Sequence, residues 1–301
     1  MTQIWLHRYS LLLAACTLFL VVAGASVTSN EAGLSVPDWP LSYGKLMPEM
    51  EGGIFYEHGH RMVATTVGFL TIILAIWLWR VEDRPWMKKL GLAALAAVVF
   101  QGLLGGMTVL FLLPKPVSIS HACLAQLFFS ATCAVALFTS PSWRRGPEYI
   151  DDAQGISLRT LGLLVPLSTL VQLGLGAAYR HKALEIVPHV AGAMVVTGVV
   201  LFTGVFVLLH NSGHVALRRA AVSVLAVIFL QVFLGVAAYM SRVATADAAQ
   251  PMPVMVTFTV LHVAVGALTM AAGVILAILI YRNVRRPERE ASVGTAAVAS
   301  H

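Results

Sequence analysis

The sequence predicts an all-α integral membrane protein with eight transmembrane helices, arranged as two parallel four-helix pseudo-repeats. Three observations carry this prediction: the composition, a series of eight apolar stretches, and polar residues that recur at matching places within those stretches. The chain has 301 residues, of which 58% are hydrophobic and only 11% are charged. Soluble domains carry about 25% charged residues, so the composition excludes that class.

The apolar stretches are long enough to cross a bilayer, which needs roughly 20 mostly apolar residues. We number them as spans 1 to 8. They are Leu11–Val27, Met62–Trp79, Leu90–Leu113, Ser120–Thr139, Thr160–Tyr179, His189–Leu209, Ala220–Met240 and Thr257–Tyr281. The short polar tail from about residue 286 is expected to be disordered.

Lysine and arginine predict the orientation. With a cytoplasmic N-terminus, the inner segments hold 14 of the 20 Lys and Arg residues, so both termini are expected inside. The net charge of +6 then reflects topology, and no nucleic-acid partner is expected. A cleaved signal peptide ending near Ala23-Gly24-Ala25 is the alternative. We disfavour it because the repeat described next uses span 1.

The same short phrase recurs near the outer ends of the odd-numbered spans. It is Gln-x-x-x-Gly, which places both residues on one helix face. The three copies begin at Gln101, Gln172 and Gln231, and span 1 keeps only the glycine, Gly24. The cysteines, Cys16, Cys123 and Cys133, all fall inside spans, so no disulfide framework is indicated.

Each even-numbered span carries one histidine near its outer end. The four are His60, His121, His189 and His262. Together with the glutamine phrase, they divide the chain into an N-terminal half, residues 1–145, and a C-terminal half, residues 146–301. Halves of four helices have the same orientation, which predicts a pseudo-twofold axis along the membrane normal.

Paired histidines on facing helices suit a haem iron, with one imidazole on each axial side. Two halves would give two sites: His60 with His121, and His189 with His262. Zinc fits less well, because it takes three or four clustered ligands. A single histidine would as readily be a helix-boundary residue bonded to a carbonyl, but four at matching positions are harder to explain in that way. We expect His58, His181, His210 and His214 to be solvated.

The two halves differ in one carboxylate. Glu57 lies three residues before His60 and shares its helix face, whereas Ile186 holds the matching place before His189. Glu57 is therefore the candidate for proton transfer, with an ion pair to Arg61 as the alternative. Arg61 is a candidate for binding a haem propionate. The glutamines Gln101, Gln172 and Gln231 are candidates for either cofactor contacts or helix packing. The helix faces made of small residues would either let a flat haem come close or serve helix packing.

At this point the sequence resembles the haem A synthase family over nearly its whole length. The resemblance rests on GLSVPDWPLSYGKLMP at Gly33–Pro48, EHGHR at Glu57–Arg61, the glutamine phrases and the four histidines. It implies an oxidoreductase of haem A biosynthesis and cytochrome oxidase assembly. Such an enzyme converts the methyl group of haem O to the formyl group of haem A by successive hydroxylations.

The resemblance also implies roles for the site residues. His60 and His121 match the histidines of the substrate haem site, His189 and His262 match those that bind haem b, and Glu57 matches the catalytic carboxylate. One departure concerns the first outer loop, where many bacterial members have a cysteine pair at positions held here by Val36 and Ser42. A thiol-based step at that pair is therefore excluded. Three interpretations stay open: a cysteine-free subclass, a different electron route, or a changed activity.

The expected setting is the bacterial cytoplasmic membrane, with the haem sites toward its outer face. Expected partners are haem O, the lipid bilayer, an electron donor, and haem O synthase or oxidase assembly proteins. Two other functions stay open: a non-catalytic dihaem electron-transfer protein, and a haem carrier or assembly factor. The Glu57 asymmetry favours the enzyme.

Overall fold

The computed structural model describes residues 2–152 and 156–285, and within them the chain is almost entirely helical. Eight helices are long and apolar enough to cross a membrane, which confirms the eight predicted spans and the all-α class. The predicted disordered tail lies outside the described residues. The helices are α1 Thr2–Ser29, α2 Gly52–Val81, α3 Pro85–Leu110, α4 Lys115–Thr139, the single turn α5 Pro141–Arg144, α6 Leu158–Arg180, α7 Ile186–His210, α8 Val215–Ala244 and α9 Pro253–Asn283.

The start of α2 differs from the sequence prediction. The helix begins at Gly52, ten residues before the predicted Met62, so Glu57 to Arg61 lie inside it. Hydropathy marks only the apolar part of a helix, whereas the backbone hydrogen bonds continue through polar residues outside the hydrocarbon layer. The polar stretch is therefore a helical surface with fixed side-chain directions.

Each set of four long helices closes into a ring. The helix α1 contacts α2, α2 contacts α3, α3 contacts α4, and α4 returns to α1; α6 to α9 follow the same order. Each ring has its own apolar core, centred on Leu13, Leu74 and Val135 in the first ring and on Val200, Val224 and Ile280 in the second.

The two rings meet along α1, α4, α6 and α9. A third apolar cluster joins them: Val21 of α1 and Phe129 of α4 pack on Ala267 and Ala271 of α9. The matching ring order agrees with the predicted pseudo-repeat. The boundary at residue 145 and the twofold relation between the halves stay predictions.

The connector between the rings is fixed at the predicted inner side. Strand β1, Ile150–Asp151, pairs in parallel with β2, Val284–Arg285, which directly follows α9. Asp152 Oδ1 accepts the Leu158 backbone N–H at 2.9 Å, so this carboxylate caps the start of α6. The connector thus ties the beginning of the second ring to its end.

The first outer loop, residues 30–51, folds back over α2 and α3. The carboxylate of Asp38 accepts the backbone N–H groups of Gly44 and Tyr43 at 2.8 and 2.6 Å, and these bonds lower the pKa of Asp38. The next residue, Trp39, lies on α3 at Gly106. A Cβ on Gly106 would come within 2.8 Å of the indole ring. The Pro-Asp-Trp-Pro segment therefore builds a turn and docks it on the bundle.

Candidate functional site

Each of the four predicted site histidines lies against a glycine of the preceding long helix. An ideal Cβ added to these glycines would crowd the imidazole, so glycine is what allows the close approach. The glycines are those of the repeated phrase, including the one that span 1 keeps. The distance from the added Cβ to the ring atom Cε1 is 3.0 Å for Gly24 and His60, 3.3 Å for Gly105 and His121, and 2.9 Å for both Gly176 with His189 and Gly235 with His262.

The glutamines of the phrase hold the same histidines. Gln101 Nε2 donates to the His121 carbonyl at 2.9 Å. Gln172 Nε2 donates to the His189 carbonyl at 2.9 Å and lies 3.0 Å from its Nδ1. Gln231 Nε2 lies 3.4 Å from His262 Nε2. Each glutamine thus contacts the neighbouring helix at its site histidine.

The separation of the His189 and His262 rings fits one metal ion. The ring centroids are 6.3 Å apart and the ring planes are at 88°. Two metal–nitrogen bonds of about 2 Å each, with about 1.1 Å from each nitrogen to its ring centre, give about 6.2 Å in a linear arrangement. The distance is that of two imidazoles on opposite sides of one iron, so the pair fits a haem.

The first histidine pair, His60 and His121, has buried polar atoms that are available to a ligand. Both rings are half-buried, and the Nδ1 atoms of both are buried without a hydrogen-bond partner in the described part of the chain. Buried polar atoms are nearly always paired, and an unpaired one indicates a missing partner. This pair therefore also fits a metal-bound macrocycle.

Glu57 and Arg61 form an ion pair beneath the first outer loop. Arg61 Nη2 donates to Glu57 Oε1 at 2.6 Å, and Glu57 Oε2 accepts the Val36 backbone N–H at 2.9 Å. Arg61 Nη1 also donates to the carbonyls of Asp38 and Leu41, at 2.7 and 2.8 Å. Arg61 thus pairs with Glu57 and bonds the loop, and this ion pair is the alternative role that the sequence gave for Glu57.

Two histidines that the sequence predicted to be solvated are buried instead. His58 is 6% exposed because the first loop covers it, and its Nδ1 lies 2.8 Å from Ser42 Oγ. His214 is 5% exposed, and its side chain caps α8 by accepting the Leu217 N–H. His181 is half-buried, and burial, with the neighbouring Arg180, lowers its pKa. Of these four histidines, only His210 is exposed as predicted.

Sequence reasoning missed the part that the loop takes in the Glu57 cluster. The Val36 amide and the Ser42 hydroxyl both contact this cluster, and both residues are fully buried. The signal available was that these are the positions at which many family members have cysteine. That pattern marks proximity to the site, but it does not predict a backbone amide as the donor to Glu57.

We expect Gly176→Ala to destabilise the protein and Gly174→Ala to leave it as stable as the wild type or more so. The new Cβ at position 176 would come within 2.9 Å of the His189 ring, whereas position 174 has no neighbour within 4 Å in the described part of the chain. Both changes raise helix propensity equally. The difference between the two variants in the free energy of unfolding therefore measures the crowding alone, and we expect about 1–3 kcal/mol. Thermal unfolding of the two purified variants in detergent measures it. Equal melting temperatures would contradict the close contact.

Comparison with known proteins gives one family. A family model described as cytochrome oxidase assembly protein matches residues 7–54 and 49–187, which is more than half of the chain. The matched residues include Glu57, His60, Arg61 and His121, and the match ends two residues before His189. The first ring and the beginning of the second are therefore covered, while α8 and α9 lie beyond the match.

Several curated relatives carry the name heme A synthase. The one from Symbiobacterium thermophilum is 32% identical over 58% of this chain and 59% of its own length. That from Alkalihalophilus pseudofirmus is 32% identical over 48% of each chain, and that from Beijerinckia indica is 28% identical over 55% of each. The alignments thus span about half the length of these relatives.

Proposed function

The chain belongs to the cytochrome oxidase assembly protein family, and we propose that it is a haem A synthase, an oxidoreductase that converts the methyl group of haem O to the formyl group of haem A. The observation that carries the proposal is the buried Glu57 carboxylate, one helical turn before His60 and 4% exposed. The second ring has no carboxylate at the matching place, where Ile186 stands. The asymmetry gives one histidine pair a reactive group that the other lacks.

In this proposal the second ring binds the resident cofactor. His189 and His262 would hold haem b between them, which the 6.3 Å separation of their rings supports. When bound, haem b supplies one-electron redox chemistry. Gln172 would position the His189 residue through the bond from its amide to the His189 carbonyl.

The first ring would bind haem O as substrate, between His60 and His121. With both axial positions filled by imidazole, the reaction takes place at the edge of the macrocycle. Successive hydroxylation of the methyl group gives a hydroxymethyl group and then a geminal diol, which loses water to form the aldehyde. Each hydroxylation removes two electrons from this carbon, so an oxidant from outside the chain must accept four electrons in all. Glu57 would accept a proton from the reacting carbon substituent or stabilise positive charge that develops there.

The first loop would keep Glu57 in place and exclude water from it. Arg61 Nη2 and the Val36 amide hold both carboxylate oxygens, and Arg61 Nη1 fastens the loop carbonyls above them. Fixed hydrogen bonds of this kind position a catalytic group without reorganisation during the reaction. We place the protein in a bacterial cytoplasmic membrane, with the loop and the haem sites at the outer face, as the distribution of Lys and Arg supports.

A second candidate function is non-catalytic electron transfer between two haems. The near-identical glycine–histidine contacts in both rings favour it, because they build two similar sites. The partners proposed for the enzyme, haem O synthase and oxidase assembly proteins, would have no role in that case.

The bound pigments distinguish the two functions. We expect full-length protein, purified from a host that supplies haem O, to contain haem b together with haem A or its hydroxymethyl intermediate. Extraction and mass analysis of the haems provide the measurement. Cells that make haem O but lack this chain are the control, and should contain no haem A. Protein that carries haem b alone under the same supply would exclude the enzyme and favour electron transfer.

A further inference from the structure

Arg180, the last residue of α6, joins the two rings. Its Nη2 donates to the Ala25 carbonyl at 3.0 Å and to Ser29 Oγ at 2.7 Å, both on α1. The side chain is half-buried, and Ser29 is only 6% exposed. Ala25 directly follows Gly24, which packs on the His60 ring. Arg180 therefore lies at the seam between the rings, near their outer ends.

No carboxylate in the described part of the chain compensates the charge of Arg180. The arginines at positions 61, 84 and 144 each pair with a glutamate, but Arg180 has only the two neutral acceptors on α1. Both of those bonds come from Nη2. Guanidinium carries five N–H donors, so Nε and Nη1 remain for another acceptor. A cation that is partly removed from water without a counter-charge is costly, which indicates an anionic ligand.

The residues around Arg180 connect it to the second histidine pair. The Tyr179 ring is stacked on the His189 ring, with centroids 6.4 Å apart and planes at 8°. Gly176, where an added Cβ would come within 2.9 Å of the His189 ring, lies four residues before Arg180 on the same face of α6. The guanidinium thus lies at the outer border of the site that His189 and His262 form.

We propose that Arg180 binds a propionate carboxylate of the haem held between His189 and His262. The inference rests on the proposed function for the presence of that haem. A guanidinium suits the task because its planar fork matches both oxygens of a carboxylate. The sequence suggested Arg61 for a propionate, but Arg61 is committed to Glu57 and the first loop. Lys182 and Arg242, the neighbouring outer cations, are exposed.

The test measures how fast haem b leaves the purified full-length protein in the presence of excess apomyoglobin as acceptor. We expect Arg180→Gln to release haem b about tenfold faster than the wild type, because a charge-assisted hydrogen bond is lost. Two control variants separate other roles. Ser29→Ala removes one of the two contacts of Arg180 with α1 but keeps the guanidinium, and Lys182→Gln removes an exposed neighbouring charge. Both should release haem b within about twofold of the wild-type rate.

Each contrary outcome has a definite meaning. Release from Arg180→Gln at the wild-type rate overturns the proposal, and an anion of another source, such as a lipid phosphate, would then be the ligand. Equal acceleration in Arg180→Gln and Ser29→Ala would make Arg180 a structural link between the rings. In both cases the proposed function stands if the protein still contains haem A. Wild-type protein without haem b would instead refute the proposed function, and this inference with it.

Discussion

Replacing Glu57 with glutamine is expected to lower haem A formation by about 100-fold or more while both haems stay bound. Glutamine keeps the shape of the side chain, and its amide oxygen can still accept the Val36 N–H. It cannot accept a proton from the reacting substituent at physiological pH, and it carries no negative charge to stabilise positive charge on the macrocycle. Ile186 holds the matching place in the second ring, so no carboxylate at that place can substitute for Glu57.

The measurement is the ratio of haem A to haem O extracted from purified wild-type and variant proteins. Glu51→Gln is the matched control, because Glu51 is exposed at the start of the same helix and makes no side-chain cap. It should give the wild-type ratio. Wild-type conversion in Glu57→Gln would remove Glu57 from the chemistry. If that variant loses bound haem, the role of Glu57 is instead to form the ion pair with Arg61 and to keep the loop closed.

The spans were predictable because a bilayer imposes a simple constraint on the chain. Roughly 20 apolar residues are required wherever a helix crosses, and hydropathy detects them. The start of α2 was not predictable in this way. Gly52 to Arg61 is polar, and whether polar residues continue a helix depends on backbone hydrogen bonds that composition does not reveal.

The candidate site was predictable to the extent that it repeats. Recurrence of Gln-x-x-x-Gly and of one histidine per even span identified residues that the structure brings into contact, and a period of 3.6 placed glutamine and glycine on one face. Periodicity does not say which helix that face meets. The contact of Gly176 with His189, and the bond from Gln172 to the same residue, join neighbouring helices and emerge only from the packed rings.

The first loop was the least predictable part of the site. His58 was expected to be solvated because it has no counterpart in the repeat, yet Ser42, 16 residues earlier, covers it. Such long-range contacts depend on the path of the loop. They also explain how a loop without cysteines stays closed: the Val36 amide bonds Glu57, the Ser42 hydroxyl bonds His58, and Arg61 holds the carbonyls between them.

Replacing His262 with alanine is expected to remove haem b from the protein and leave the substrate haem in the first ring. His189 alone would supply one ligand. The second imidazole, whose ring lies 6.3 Å from that of His189 in the wild type, would be missing, so an iron would no longer be held from both sides. We expect about one haem per chain fewer than in the wild type. Without its electron carrier the enzyme should also stop forming haem A, so both the amount and the identity of the pigment would change.

Two further variants show whether the loss belongs to the ligand or to the fold. Met is an axial ligand that haem iron accepts, so His262→Met should retain haem b with an altered absorption spectrum. His210→Ala removes an exposed histidine at the far end of α7 and should retain both haems. If His262→Met and His262→Ala both keep the wild-type content and spectrum, His262 is no ligand. The 6.3 Å separation would then reflect ordinary packing of two half-buried rings around Gly176 and Gly235, because the same contacts would exist without iron.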